Sequence, residues 1–435
     1  MWLFDGRTVP DIRIPPPGPK AQEWLQRDAA RVSPSYTRVY PLVVERASGC
    51  VVQDVDGNLF LDLTAGIAVT ATGHCHPQIV AAIRQQSERL IHMSGTDFYY
   101  PQQAELAERL ARLTPGDGPK KVFFCNSGAE AIEAALKLVR WHTRRPRVLA
   151  LLGAFHGRTY GAMSLSASKA VHRRGFAPLV PEIHHVPFPR TCPEGGWCRQ
   201  TCRWVEELEM TLLRRLAPPE EVAAIFIEPI QGEGGYHLWP AGCLPALRKL
   251  CDRYGILLVA DEVQSGMGRT GRMFALEHYG VAPDIVCLAK GIASGLPLGA
   301  VVAKAAIMDW PAGSHASTFG GNPVACAAAL TTLDLLEKEY LSNAVARGEQ
   351  LRAGLQNLAE RHPILHHVRG LGLMLAVDLP TPELRDRFLQ LAFRHGLLLL
   401  GCGEAALRFC PPLCITAEQI NVALRLLDEL LPQLA

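Results

Sequence analysis

The sequence predicts an α/β protein with a large domain on a mostly parallel sheet and a smaller α+β domain after it. Short apolar runs alternate with helical patterns from about residue 76 onward. Those runs end in charged or small residues, which suits a parallel sheet that presents its carboxyl ends to a ligand. Beyond residue 323 the pattern changes to long amphipathic helices and a late group of strands.

The elements follow in chain order. Residues 1–35 are read as an N-terminal arm, because PDIRIPPPGPK favours extended, weakly ordered chain. Residues 36–75 read as short strands around the turn Asp56-Gly57-Asn58, packing with the small domain. Residues 76–323 form the large domain. HPQIVAAIRQQSERL opens it with apolar residues at helical spacing. The strands are KVFFCN (121–126), RVLALLG (147–153), AAIFIEP (223–229), ILLVADE (256–262), DIVCLAK (284–290) and LGAVVA (298–303). Residues 324–435 form the small domain, in which GLGLMLAVDL, GLLLL and ALRFCPP read as strands and 416–434 as a final helix.

The chain of 435 residues is long enough for a large domain with a companion. Its net charge is +2 with interspersed signs, so no basic footprint for nucleic acid is expected. No apolar run reaches the roughly 18 residues of a membrane span. The opening MWLFDGRTVP lacks the basic and apolar regions of a secretory signal. Thirteen cysteines, an odd number spread over strands and helices, suit a reducing cytoplasm. Cys192, Cys198 and Cys202, with His184 and His185 upstream, are too loosely spaced for a zinc site. That segment is read as a surface insertion, and no metal is expected.

The chemistry concentrates in LLVADEVQSG (257–266) and LAKGIASG (288–295). A lysine at the end of an apolar strand beside a glycine turn is desolvated, loses its proton and can condense with an aldehyde. Pyridoxal phosphate uses such a lysine and needs an acid opposite its pyridine nitrogen. Lys290 and Asp261 fit these roles.

The rest of a cofactor kit follows. Asn126-Ser127-Gly128-Ala129-Glu130 closes a strand and opens a helix, with Ser127 and Glu130 spaced as a capping box. Its free amides and helix dipole make a phosphate seat. Phe155, in FHGRT, stands where an aromatic can stack on a flat ring. Arg158 beside it can hold a substrate carboxylate or enter a structural ion pair. EPIQGEGG (228–235) brings two acids to a strand end. Arg408, an arginine within an apolar strand, needs a partner such as Glu233 or a carboxylate. Thr318, in TFGGNP, offers a second phosphate contact.

At least six separated motifs, in this order over residues 36–430, closely resemble the class III pyridoxal-phosphate aminotransferases, a family that includes the 4-aminobutyrate, ornithine and acetylornithine enzymes. The resemblance implies fold type I, a homodimer or a tetramer, and active sites at the subunit interface. It implies that Lys290 carries pyridoxal 5'-phosphate and acts as general base, and that Asp261 faces the ring nitrogen. Ser127, Gly128 and Ala129 would hold the phosphate, with Thr318 reaching it from the neighbouring subunit. Phe155 and Val263 would cover the two faces of the ring. His156 belongs to the same cofactor set, and Gln264 would lie near the ring hydroxyl. Arg408 would bind the α-carboxylate with Glu233 as switch partner, and Arg158 the distal carboxylate.

Ile67, counted with the substrate-binding residues, and Thr37 fall where ornithine aminotransferases carry tyrosines, which argues against that branch. GTDFYY (95–100) and GLLLLGCGEAALRFCPPL (396–413) look most like the 4-aminobutyrate branch and a group of amino-acid racemases on the same scaffold. The expected reaction moves an amino group from an ω-amino acid, foremost 4-aminobutyrate, to 2-oxoglutarate. The alternatives are racemisation and an acetylornithine or ornithine aminotransferase. A non-catalytic binding protein would not need Lys290, Asp261 and a phosphate seat together. A Rossmann-type dehydrogenase would need a G-x-G-x-x-G after its first strand, which this chain lacks.

Overall fold

The computed structural model describes residues 6–189 and 203–434. Its centre is a seven-stranded sheet. In chain order the strands are β1 (Lys120–Cys125), β2 (Arg147–Leu151), β3 (Ile183–Val186), β4 (Val222–Ile227), β5 (Leu257–Asp261), β6 (Ile285–Leu288) and β7 (Gly299–Lys304). Their order across the sheet is β1-β7-β6-β5-β4-β2-β3. Neighbouring pairs are parallel except those of β7, which runs antiparallel to both β6 and β1. Six strands therefore end on the same edge.

Both faces are covered, so the strands read as continuous apolar runs. Leu258 and Ala260 of β5 join one core cluster and Val259 the other; Ile225 and Ile227 of β4 divide from Ala224 and Phe226 in the same way. This two-residue alternation leaves no face for solvent. Helix Gly128–Thr143 packs on one side, burying Ala131, Ile132, Ala135, Leu138 and Val139, and helix Cys243–Tyr254 covers the other with Leu244, Leu247 and Leu250.

The C-terminal third carries helices Pro323–Leu335 and Leu341–Arg361 and a four-stranded antiparallel sheet that includes Ala406–Phe409. Strand Leu59–Asp62 of the N-terminal sheet pairs in parallel with Leu397–Leu398, which ties the two ends of the chain together.

The structure departs from the sequence reading at several points. The arm is not simply extended: Pro19–Arg31 is a helix, with Pro19 at its first turn. Its amides at Lys20 and Ala21 donate to the Asp56 carboxylate at 2.9 and 3.0 Å, so the hairpin turn caps it. The edge strand β3 was not read from the sequence. Cys192, Cys198 and Cys202 lie outside the described residues, and among the described residues no group of His, Cys, Asp or Glu could hold a metal. Cys125, Cys287, Cys326 and Cys410 are free and buried, but Cys243 is disulfide-bonded, against the expectation of reduced cysteines throughout. No described helix is long and apolar enough to cross a membrane.

Candidate active site

The parallel register places the site. Asp261 ends β5 beside Cys287 of β6, and Ala260 is level with Ile227 of β4, so Asp261 and Glu228 leave adjacent strands together. Asp261 is buried, and its Oδ2 lies 2.7 Å from His156 Nδ1 while Oδ1 accepts from the Val263 amide at 3.0 Å. Burial disfavours charge on His156, but the hydrogen bond and the negative charge of Asp261 outweigh it, and the imidazole pKa is raised. The His156 amide donates to Ser166 Oγ at 2.8 Å, which fixes the ring from behind.

Lys290 begins a short turn two residues after β6. Its φ is +45°, a backbone conformation that L residues seldom hold without support from their surroundings. Burial lowers its pKa even though Glu233 and Asp261 favour the charged form. It has no hydrogen bond or ion pair among the described residues, so the amine is free to react.

Ser127 caps helix Gly128–Thr143 by accepting from the Glu130 amide at 3.2 Å. The reciprocal half of the expected capping box is absent. The Glu130 carboxylate reaches one residue further back, to the amide and Nδ2 of Asn126 at 2.8 and 2.9 Å. The first-turn amides of Gly128 and Ala129 have no intrahelical acceptor and can meet an anion. A Cβ on Gly128 would lie 2.8 Å from Val263 Cγ1, so any larger residue must displace the Val263 side chain. Gly128→Ala is therefore expected to weaken cofactor retention and cost about 1–3 kcal/mol by overpacking. Dialysis of the holoprotein with a thermal melt measures both, and unchanged retention would remove Gly128 from the phosphate seat.

Phe155 is half-buried; its ring meets His172 edge-on at 5.2 Å, and its amide donates to Glu228 Oε2 at 3.3 Å. Arg158 is exposed, 5.9 Å from the Phe155 ring, and forms no ion pair among the described residues. The structural ion pair allowed by the sequence is thus not made. Arg408 is buried and bonded through Nη1 to Glu233 Oε1, while its Nε is buried without a partner. Burial alone would push the Glu233 carboxyl up, but Arg408 holds it below its usual range. Gln264 is buried and accepts from the Tyr236 hydroxyl at 2.8 Å. Ile67 and Thr318 are both exposed, and the single chain brings neither into hydrogen bonding with the rest of the site.

Glu228 was named in its motif but given no role. Its Oε1 accepts from the Gly232 amide at 3.1 Å, so one carboxylate joins the Phe155 turn to the Glu233 turn. Burial pushes its pKa to about 8, leaving it mainly protonated at neutral pH. The signal for it was an acid closing a fully apolar strand. Two other acids near the motif are structural. Glu262 accepts from Ser265 Oγ and the Leu276 amide, and Asp284 pairs with Arg248 and Lys304.

The chain is similar to several known proteins along most of its length. The aminotransferase class-III family model matches residues 32–431. The alanine/serine racemase of Pyrococcus horikoshii is 38% identical, covering 97% of this chain and 92% of its own. The acetylornithine aminotransferase of Caldanaerobacter subterraneus is 40% identical, covering 92% and 97%. The 4-aminobutyrate aminotransferase of Escherichia coli is 38% identical, covering 94% and 97%. Among solved structures, taurine:2-oxoglutarate aminotransferase from Bifidobacterium kashiwanohense, in complex with PLP and glutamate, superposes with a TM-score of 0.88 at 29% identity, covering 95% and 98%.

The family works with pyridoxal 5'-phosphate, and the residues here fit that group: a buried lysine without a hydrogen bond or ion pair among the described residues, a helix start at Gly128 that a Cβ would crowd, and a buried acid for a ring cation. With fold type I architecture and this cofactor chemistry in place, the chain belongs to the class-III aminotransferases.

Proposed function

We propose that this aminotransferase takes its amino group from an ω-amino acid, foremost 4-aminobutyrate, and gives it to 2-oxoglutarate. The observation that carries the reading is the contrast between two arginines. Arg158 is exposed and unpaired among the described residues, whereas Arg408 is buried and held by Glu233. A donor with one distal carboxylate can bind at Arg158 and leave the Arg408–Glu233 pair closed. A dicarboxylate acceptor needs both cations and must displace Glu233 from Arg408.

Pyridoxal phosphate, when bound, supplies an aldehyde that condenses with amines and a ring that takes up electrons. The protein residues do the rest. Lys290, whose pKa burial lowers, accepts the carbon-bound proton and returns it. Asp261, backed by His156, keeps the ring nitrogen protonated. Gly128 and Ala129 seat the phosphate, with Ser127 capping their helix, and Phe155 and Val263 bracket the ring plane. Gln264, aligned by Tyr236, faces the ring hydroxyl. We place Thr318 at the phosphate of a second subunit in a homodimer, which accounts for its exposure in the single chain. We also retain the division at residues 35, 75 and 323 into arm, N-terminal strands, large domain and small domain. We place the protein in the cytoplasm on its free buried thiols, with the Cys243 disulfide as an exception.

Arg158→Ala is expected to raise KM for 4-aminobutyrate about tenfold or more while sparing a neutral-tailed amine of equal length, because a charge-assisted pair is worth about 1.5–3 kcal/mol. Steady-state kinetics with both donors test this, and equal losses would remove Arg158 from the donor site. A second reading, racemisation, is favoured by the likeness to the Pyrococcus horikoshii racemase. It requires only that Lys290 and a second path return the proton to the opposite face of the same carbon. Decaying optical rotation of an α-amino acid without any oxo acid would establish it.

A further inference from the structure

Four consecutive residues, Ala65, Gly66, Ile67 and Ala68, have φ of +49°, +61°, +67° and +60°. They form one left-handed turn, closed by hydrogen bonds from the Ala68 amide to Thr64 O and from the Val69 amide to Ala65 O, both under 3 Å. Three of the four carry a Cβ that opposes this conformation, and Ile67 is β-branched, the least suited side chain for it. Such a turn persists only when its surroundings over-determine it.

The over-determining group is Asp62, buried at the end of strand Leu59–Asp62. Its Oδ1 accepts from the Thr64 amide at 2.7 Å, Thr64 Oγ1 at 2.7 Å and the Ala65 amide at 3.2 Å. Its Oδ2 lies 2.7 Å from Nε2 of His74, whose own backbone exchanges two hydrogen bonds of 2.9 Å with Gly49. The turn also lies near both halves of the site. A Cβ on Gly291, the residue after Lys290, would stand 3.4 Å from Ala71 Cβ and 3.8 Å from Ala68 O. On the other side, Thr64 O accepts from Cys410 Sγ at 3.3 Å, two residues beyond Arg408. The side chain at the apex is Ile67, which remains exposed.

We propose that Asp62 and His74 are positioning residues for donor selectivity. Together they hold residues 65–68 in the left-handed turn and so fix Ile67 as a wall between Lys290 and Arg408 that limits donor length. The inference rests on the proposed ω-amino-acid reading and on Ile67 lining the donor site. The expected consequence is discrimination between 4-aminobutyrate and 5-aminovalerate, which differ by one methylene, a change that shape-selective pockets distinguish by tenfold or more.

The test compares kcat/KM for the two donors in the holoenzyme, together with the melting temperature of the cofactor-free protein. Asp62→Asn is expected to shrink the donor ratio at least about fivefold and lower the melting temperature. Adding Ala65→Gly and Ala68→Gly to it is expected to restore the ratio, because glycine meets no Cβ penalty in this conformation. Should Asp62→Asn fail to fold, His74→Leu takes its place, and His74→Gln, which can still donate to Asp62, is the variant expected to recover the ratio. Ile67→Ala separates the two levels of the argument. A changed ratio in Ile67→Ala with an unchanged ratio in both Asp62→Asn and His74→Leu would overturn the positioning role. An unchanged ratio in Ile67→Ala would overturn the placement of Ile67 itself, and the inference with it.

Discussion

Lys290→Ala is expected to abolish turnover, with a loss of about 10⁴-fold or more, while the protein still binds pyridoxal phosphate without a covalent link. Three properties of this one residue lead to that outcome. The amine is buried, its pKa is lowered by that burial, and it has no competing partner among the described residues. On the proposed reading, removing it deletes both the cofactor's covalent anchor and the proton acceptor, and a positioned acid–base group alone contributes about 10²–10⁴-fold. The proposed phosphate seat at Gly128 and the Asp261–His156 pair remain, so the cofactor should be retained on gel filtration and released by acid. Turnover within tenfold of the parent would exclude Lys290 as the central base.

Asp261→Asn is expected to lower kcat by about 10²–10⁴-fold with little loss of fold stability. The substitution keeps the shape but removes the charge that raises the His156 pKa and that we propose keeps the ring nitrogen protonated. Breaking a buried pair costs about 3–5 kcal/mol when a charge is stranded. Without Asp261 the main influence that raises the His156 pKa is gone and burial lowers it, so a charge on that imidazole is disfavoured rather than stranded. The expected signature is therefore a large kinetic defect with a melting temperature close to the parent. A rate within threefold of the parent would show that this carboxylate does not govern the ring. A large drop in melting temperature with a normal residual rate would recast Asp261 as structural.

The central sheet was legible because its chemistry and its periodicity coincide. Strands β4, β5 and β6 carry apolar residues on both faces, and each ends in or is closely followed by a residue with reactive chemistry: Glu228, Asp261 and Lys290. What escaped depends on partners distant in sequence. Helix Pro19–Arg31 buries only Ala21, and its cap is Asp56, more than thirty residues away. Strand β3, IHHV, is short, carries two histidines and pairs on one side only, so it shows no apolar run. The left-handed turn at 65–68 contradicts local propensity, and the bonds that the buried Asp62 makes to Thr64, Ala65 and His74 account for it. The Arg408–Glu233 contact joins residues 175 positions apart, and an arginine in an apolar strand showed in the sequence only that a partner was required.

The most direct test of the account is a single half-reaction. Purified holoprotein is mixed with 4-aminobutyrate in the absence of any oxo acid, and its absorption spectrum and products are followed. The account predicts stoichiometric conversion of the cofactor to pyridoxamine phosphate, with one equivalent of the ω-aldehyde acid released per subunit and reversal on addition of 2-oxoglutarate. An unchanged spectrum with 4-aminobutyrate, together with loss of optical rotation from an α-amino acid, would contradict it and make the protein a racemase on an aminotransferase scaffold.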